Sequence, residues 1–201
     1  AVSVMQYDED GYLPEAVLNY LARLGWSHGD DEIFDMQQFC AWFDLDHITP
    51  SAAQFNTEKL NWLNAHYLKL ADNARLAVEV EKRLAKRGIA TQGGPDLPGV
   101  IGLYKERVAN LNELADAVEY FYRRIHPAQE LLQKHLTADV IPVLQALAQK
   151  LAAAEWTQTV LHDAIQEAVT ANGLKFPKVA MPLRVMIAGI AQTPSVDLGL
   201  A

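Results

Sequence analysis

The side chains that could carry chemistry in this sequence are six scattered histidines, one cysteine and two short acidic runs. The histidines are His28, His47, His66, His126, His135 and His162. None belongs to an HExxH pair, and none has a cysteine or carboxylate partner at a familiar metal-ligand spacing. His135 and Asp139 lie one helical turn apart, and a solvated pair explains that spacing without a metal. We therefore predict no metal site and no catalytic site in this chain.

Other catalytic motifs are also missing from the sequence. The segment Gly93-Gly94-Pro95 lacks the lysine of a phosphate-binding loop, and no G-x-S-x-G elbow occurs. The runs Asp8-Glu9-Asp10 and Asp30-Asp31-Glu32 fit solvated loops better than metal sites. The single cysteine, Cys40, has no internal disulfide partner and stands in an apolar run, so we predict a buried, inert thiol.

Two arginines and one turn are candidates for contact with unpaired RNA bases. Arg107 lies on a predicted helix that is otherwise largely apolar, where a guanidinium can fork onto a base edge. Arg184 is the one charged residue between Val179 and Ile190, so it must reach a partner or the surface. Thr193-Pro194 offers a hydroxyl and a rigid turn. From composition alone, ordinary surface or ion-paired arginines and a connecting turn are the simpler interpretation.

The charge distribution argues against a general phosphate-binding surface. The net charge is −8, and residues 1–65 contain 11 Asp/Glu but only two Lys/Arg. Residues 66–201 are near neutral, which is compatible with an RNA partner that is bound through a few specific contacts. No apolar stretch approaches the roughly 20 residues needed to span a bilayer, and the first residues do not resemble a signal peptide. We therefore expect a cytoplasmic location and no membrane partner.

The elements that must position these residues are helices. Apolar residues recur at helical spacing throughout, and proline, glycine and Asx residues mark the starts and stops. Pro14 and Gly25 bracket one helix, while Asp35 and Gln38 predict a capping box at the start of the next. Only Val2-Ser3-Val4 suggests a strand stub. The prediction is an all-α chain of three helical subdomains, split near residues 70 and 130.

Five blocks carry a resemblance to a known family. They are Asp10–Ser27, Glu32–Phe34, Phe55–Asn64, Glu155–Thr157 and Met181–Arg184. In order and spacing they resemble the C-terminal region of bacterial-type glutamyl-tRNA synthetases, and residues 71–130 are more loosely similar. The resemblance implies a stem-contact domain over 1–70 and anticodon-binding subdomains over 71–130 and 131–201, the last truncated at its C-terminus.

The same resemblance implies roles for individual residues. Arg107 looks like the family's arginine that reads the third anticodon base, and Lys59 matches a basic position near the tRNA backbone. The pocket for the other anticodon bases would be formed by Arg184, Thr193, Pro194 and Val196. Where some relatives place an arginine contact, this chain has Gln166, which puts that contact in doubt.

The resemblance also implies a larger parent enzyme. That enzyme would join glutamate to its tRNA with ATP and magnesium, using a nucleotide-binding domain that we expect upstream of residue 1. The fragment itself is expected to need no cofactor and to be inactive alone. Its expected partners are glutamate tRNA and the upstream catalytic domain of the same chain, in a monomer.

Two other function classes are possible. A helical protein-interaction module without RNA function predicts an exposed apolar groove, and it predicts that loss of Arg107 or Arg184 is tolerated. A metal-dependent helical enzyme predicts clustered glutamate and histidine side chains on facing helices.

Overall fold

The chain folds as two helical units. The computed structural model describes residues 3–49, 54–191, 193 and 195–200. Within these residues there are no strands, only the isolated bridges Trp26–Ile48 and His28–Asp31, which confirms the all-α prediction. Among them, no helix is long and apolar enough to cross a membrane. The chain divides into an N-terminal unit, Ala1–Tyr122, and a C-terminal unit, Arg123–Ala201.

The described part of the N-terminal unit contains seven α-helices and one 3-10 turn. They are α1 (Val4–Glu9), α2 (Pro14–Arg23), α3 (Met36–Trp42), α4 (Thr57–Leu70), α5 (Asn73–Lys86), α6 (Leu97–Tyr104), α7 (Leu111–Val118) and the turn Glu119–Phe121. Helices α4 to α7 each begin at an Asn or Asp whose side chain accepts a backbone N–H three residues on. The predicted capping box of Asp35 and Gln38 is present at α3. Local sequence therefore sets most of the helix starts.

The main core of the N-terminal unit combines residues that lie far apart in sequence. Leu76, Val80 and Leu84 from α5 pack with residues of α6 and α7, and Leu13 and Leu68 join the same cluster. Leu76, Val80 and Leu84 are fully buried. This core contains residues from both sides of position 70. The predicted subdomain boundary there stays a prediction.

Asn64 ties three segments of the N-terminal unit together from a fully buried position. Its Oδ1 accepts the backbone N–H of Leu13 at 2.8 Å, and its Nδ2 donates to the carbonyl of Ala109 at 2.6 Å. The side chain is completely inaccessible to solvent, so neither bond can be replaced by water. Gly11 lies beside this junction with φ +88°, and an added Cβ would stand 2.8 Å from the backbone nitrogen of Asn112.

A second buried polar cluster joins α2, α4 and the segment before α3. Asn19 donates to the carbonyl of Glu32 at 3.2 Å and accepts the N–H of Phe34 at 3.3 Å. The Tyr67 hydroxyl lies 2.9 Å from Asn19 Oδ1 and 2.8 Å from the Phe34 carbonyl oxygen, so its proton is shared between two acceptors. Burial, with the nearby charges of Glu15 and Asp35, raises the pKa of Tyr67 to about 12, which keeps this donor protonated.

The C-terminal unit contains five described α-helices. They are α8 (Gln129–His135), α9 (Ile141–Ala152), α10 (Gln158–Ala171), α11 (Phe176–Ala188) and α12 (Val196–Leu200). Its core gathers apolar residues from α9, α10, α11 and α12. Helix α11 starts one residue before Pro177, continues through Pro182 and stops at Gly189, whose φ of +72° suits glycine. The sequence predicts a helix that begins after Pro177 or Pro182 and ends near Gly189; its end is confirmed, whereas its start lies before both prolines.

Three local predictions are wrong. Cys40 is exposed, because α3 is short and none of its residues is buried. Val4 belongs to α1, which starts at a side-chain bond from Ser3, so there is no strand there; Val2 lies outside the described residues. The sequence also predicts that Thr157 caps a helix; Thr157 does precede α10, but its side chain makes no capping hydrogen bond.

The buried amide of Asn64 gives a stability prediction. We expect Asn64→Ala to lower the free energy of unfolding of the N-terminal unit by about 2–4 kcal/mol, because Leu13 N–H and the Ala109 carbonyl lose their partner inside the core. Urea unfolding followed by circular dichroism measures the change. The control is Gln37→Ala, an exposed position on α3, which should shift stability by less than about 0.5 kcal/mol. Equal effects of the two changes would contradict a structural role for Asn64.

Candidate nucleic-acid interface

Arg107 lies at the surface, in a turn that neighbouring hydrogen bonds and ring contacts hold in place. Helix α6 ends at Tyr104, so Arg107 lies in the turn that follows and not on the helix as predicted. Its backbone N–H bonds the Tyr104 carbonyl at 2.9 Å. The side chain is exposed, and no described residue forms an ion pair or side-chain hydrogen bond with it. The guanidinium is therefore available to a ligand.

Aromatic side chains support the turn that carries Arg107: Tyr104 is buried, and Tyr120 and Phe121 are partly buried against the same core. The hydroxyl groups of Tyr104 and Tyr120 lie 2.7 Å apart, and the Tyr104 ring meets Phe121 edge-on at 6.1 Å between centroids. Burial raises the pKa of Tyr104, as does its bond to Tyr120, so the phenol stays neutral. On the other side, Lys105 Nζ donates to the Ala71 carbonyl at 2.8 Å. These contacts fix the turn that presents Arg107.

Arg184 lies on α11 and is half-buried. Its Nη1 has Met181 Sδ as a weak partner at 3.5 Å, and its Nε is buried without a hydrogen-bond partner among the described residues. A buried guanidinium N–H without a partner costs about 1–3 kcal/mol. An acceptor that reached this group would offset that cost.

The other predicted pocket residues follow α11 in the C-terminal unit. Thr193 is a half-buried loop residue, and Pro194 lies outside the described residues. Val196 begins α12 and is 4% exposed, packed in the same core as Val179 and Ala180 of α11. Its side chain therefore packs in the core and is not exposed to a ligand. The structure brings Arg184, Thr193 and Val196 into one unit, whereas Arg107 and Lys59 belong to the other.

Asp197 joins the start of α12 to α10, and no sequence motif singled it out. The carboxylate is buried, and its Oδ2 lies 3.4 Å from Gln158 Nε2 and 3.5 Å from His162 Nδ1 of α10. Burial raises the pKa of Asp197, but hydrogen bonds from Ser195, its own backbone and Gln158, with the charge of His162, hold it below the usual value. The only signal in the sequence was Ser195 two residues before Asp197, which is the pattern of a local side-chain turn.

Lys59 is already engaged within the N-terminal unit. It lies in the first turn of α4, where Asn56 caps the helix by accepting the Lys59 N–H at 3.1 Å. Its Nζ donates to Glu32 Oε2 at 2.6 Å and stands 4.2 Å from the centroid of the Trp62 ring. Arg23 also reaches Glu32, at 3.4 Å. The Lys59 bond lowers the pKa of Glu32, so a phosphate would have to compete with a charged carboxylate for Lys59.

Two further features bear on the rival function classes. Among the described residues, no three His, Cys, Asp or Glu side chains are grouped to hold a metal ion. An apolar groove of about 440 Å³ does lie between α2 and α3, and Leu18, Leu21 and Met36 line it. Neither Arg107 nor Arg184 takes part in that groove.

Comparison with known proteins covers the whole chain. The family described as the anticodon binding domain matches residues 54–200, which include α4 to α12. The family of class I tRNA synthetases for E and Q, catalytic domain, matches residues 1–62, which include the apolar groove.

Individual relatives agree with these families. A glutamate–tRNA ligase of Methylobacillus flagellatus is 66% identical over 98% of this chain, and one of Azoarcus sp. is 61% identical over 98%. This chain spans only 42% of the length of each. The crystal structure of a glutamate tRNA ligase from Elizabethkingia meningosepticum, solved with its amino acid, superposes with a TM-score of 0.84 at 30% identity, over 95% of this chain and 38% of that one.

The buried carboxylate of Asp197 predicts acid sensitivity of the C-terminal unit. Its pKa is lower folded than unfolded, where it is about 3.9. Its contribution is therefore present above that value and is lost as pH falls through the folded-state pKa. We expect Asp197→Asn to be less stable than the natural chain at pH 7 and the two to converge as pH falls through the folded-state pKa. Urea unfolding across this pH range measures both curves. Asp163→Asn, an exposed change on α10, should follow the natural curve; parallel curves for Asp197→Asn would refute the assignment.

Proposed function

This chain belongs to the glutamate–tRNA ligase family, and on that premise we propose that it is the part of such a ligase that binds tRNA and distinguishes its anticodon. The match of the anticodon binding domain to residues 54–200 carries the proposal. The exposed Arg107 and the under-bonded Arg184 give it a physical mechanism.

The complete ligase would join glutamate to ATP and then to tRNA, with magnesium. The described residues of this chain offer no cluster of metal-ligating side chains, so we assign it no step of that chemistry. Residues 1–62, which match the catalytic-domain family, would connect the anticodon-binding helices to the rest of the catalytic domain of the same protein. We further propose a monomer that acts in the cytoplasm on glutamate tRNA.

Arg107 would read the third anticodon base. Its fixed turn and free guanidinium suit a fork of two N–H donors onto a base edge, and its position on buried Tyr104 limits the orientations it can take. A bidentate contact of this kind discriminates between bases by about 1–3 kcal/mol. Such a contact would help to separate glutamate tRNA from glutamine tRNA.

Arg184 would meet a second anticodon base together with the loop after α11. The backbone of Thr193 and Val196 would form the wall of this pocket; Pro194, expected from the resemblance in the same pocket, lies outside the described residues. Burial of Asp197 beside α10 anchors the start of α12, which carries Val196. Because the chain carries a net charge of −8, few phosphate contacts are expected, and binding should depend only shallowly on salt.

Lys59 would bind a phosphate of the tRNA backbone only if its ammonium group left Glu32 or bonded both groups at once. Both side chains are partly exposed, so the pair itself contributes little stability. The Trp62 ring can retain the ammonium group while Glu32 is exchanged for a phosphate.

Loss of Arg107 should reduce base selectivity more than overall binding. In the full-length ligase that contains this chain, we expect Arg107→Gln to lower discrimination at the third anticodon base by about tenfold to hundredfold. The measurement is kcat/KM for glutamate tRNA transcripts that differ only at that base. Arg75→Gln removes a comparable surface charge, one that is paired with Glu15, and should leave discrimination unchanged. A uniform loss across all transcripts would assign Arg107 to a phosphate instead.

Release of Lys59 should strengthen tRNA binding. We expect Glu32→Gln to raise the affinity of the chain for glutamate tRNA about threefold at low salt, because Lys59 loses its internal partner. Glu58→Gln, which removes an exposed charge one residue from Lys59, is the matched control and should have a smaller effect. The gain should disappear when Lys59→Gln is combined with Glu32→Gln. A Glu32→Gln effect no larger than that of the control would show that Lys59 does not contact the RNA.

A further inference from the structure

The C-terminal unit contains a cationic cavity that none of the predicted contacts uses. It has a volume of about 510 Å³ and lies between the end of α8, the turn before α11 and the first half of α11. Three lysines line it, Lys134, Lys175 and Lys178, together with His135 and the apolar side chains of Leu174 and Met181. A positive lining on an apolar base is unusual in a chain with a net charge of −8.

The lysines of this cavity are largely uncompensated. Lys178 Nζ stands 3.3 Å from Asp139 Oδ2, but both side chains are about half exposed, so the pair is weak. No carboxylate among the described residues pairs with Lys134 or Lys175, and both side chains are exposed. The cavity therefore keeps a net positive charge that an anionic ligand would neutralise.

The combination of charge, volume and apolar surface fits a nucleotide. A phosphate alone would occupy a small part of about 510 Å³, which is the size of an ordinary small-ligand pocket. A ribose or base can pack on Leu174 and Met181 while its phosphate meets the lysines. An acidic peptide would match the charge but has no flat ring for this apolar surface.

We propose that this cavity holds one nucleotide of the bound tRNA, with its phosphate between Lys134 and Lys175. The proposal rests on the function proposed above and extends it to an additional site. Met181 connects the two, since its Sδ contacts Arg184 Nη1 at 3.5 Å and its side chain also lines the cavity. The nucleotide in the cavity is therefore a near neighbour of the base that Arg184 would hold.

Neutral lysine variants test the cavity directly. We measure the dissociation constant of the chain for transcribed glutamate tRNA over a range of salt concentrations, with Lys134→Gln/Lys175→Gln against the natural chain. We expect about tenfold weaker binding at low salt, and a log–log salt slope that is shallower by about 0.7–0.9 for the lost phosphate contact. The loss should be the same for transcripts with altered anticodon bases, because a phosphate carries no sequence information.

The matched control removes the same charge elsewhere. Lys86→Gln/Lys150→Gln changes two exposed lysines outside the cavity and should leave the slope nearly unchanged. Phosphate-ethylation interference should detect an anticodon-loop phosphate that matters for the natural chain and the control but not for the cavity variant. Circular dichroism confirms that all variants are folded.

The outcomes separate this proposal from the one on which it depends. If the natural chain binds no tRNA, both proposals fail. If it binds tRNA but the cavity variant shows the same affinity, slope and ethylation pattern, the tRNA-binding function stands and the nucleotide site is overturned. Equal losses in the cavity variant and the control would also overturn the site, because they indicate a general charge effect.

Discussion

The two hydrogen bonds of Asn64 are the constraint on which the N-terminal unit depends. One fully buried amide joins the entry to α2, the middle of α4 and the segment between α6 and α7. Ala109, one of its partners, is two residues from Arg107. Asn64 therefore also restrains the segment that carries Arg107, whose own N–H bonds the Tyr104 carbonyl. An apolar residue at position 64 could fill the space but could not hold these loops in register.

A basic side chain is available to RNA only where it is not already bonded within the protein, and the number of basic residues in a segment does not show this. At the end of α5, Arg83 bonds Asp8, Asn112 and Glu79, and Arg87 pairs with Asp116 and Glu119. These side chains brace the N-terminal unit and have little capacity left for a phosphate. In the sequence they form, with Lys82 and Lys86, the most obvious basic cluster. Arg107, Lys134 and Lys175 lie outside that cluster and remain available in the fold.

Most of the fold follows from short-range signals, and most of the site does not. The capping box at Asp35 and the stop at Gly189 were predicted from the sequence because each acts within four residues. The Asn and Asp caps before α4 to α7 act over the same short range. The prediction that Cys40 is buried was wrong because an apolar stripe shows only which face of a helix is suited to burial. None of the residues of α3 is buried in the described structure. Glu32 engages Lys59 across 27 positions, and Asn64 reaches Ala109 across 45, which no local pattern encodes. The roles proposed for Arg107, Arg184 and Lys59 rest on family resemblance, and only the structure shows which partners these side chains have.

An acidic chain that selects one tRNA has a physical advantage over a basic one. All tRNAs share the same phosphate backbone, so a broad basic surface would strengthen cognate and non-cognate binding alike. With a net charge of −8, this protein offers little of that common attraction, and the proposed lysine cavity would add a single phosphate contact. An arginine that reads a base, as proposed for Arg184, increases the contrast further, because a base without the matching acceptor leaves a guanidinium donor unpaired. Selectivity then arises from what the wrong base fails to satisfy, and it can be large even when total binding is modest.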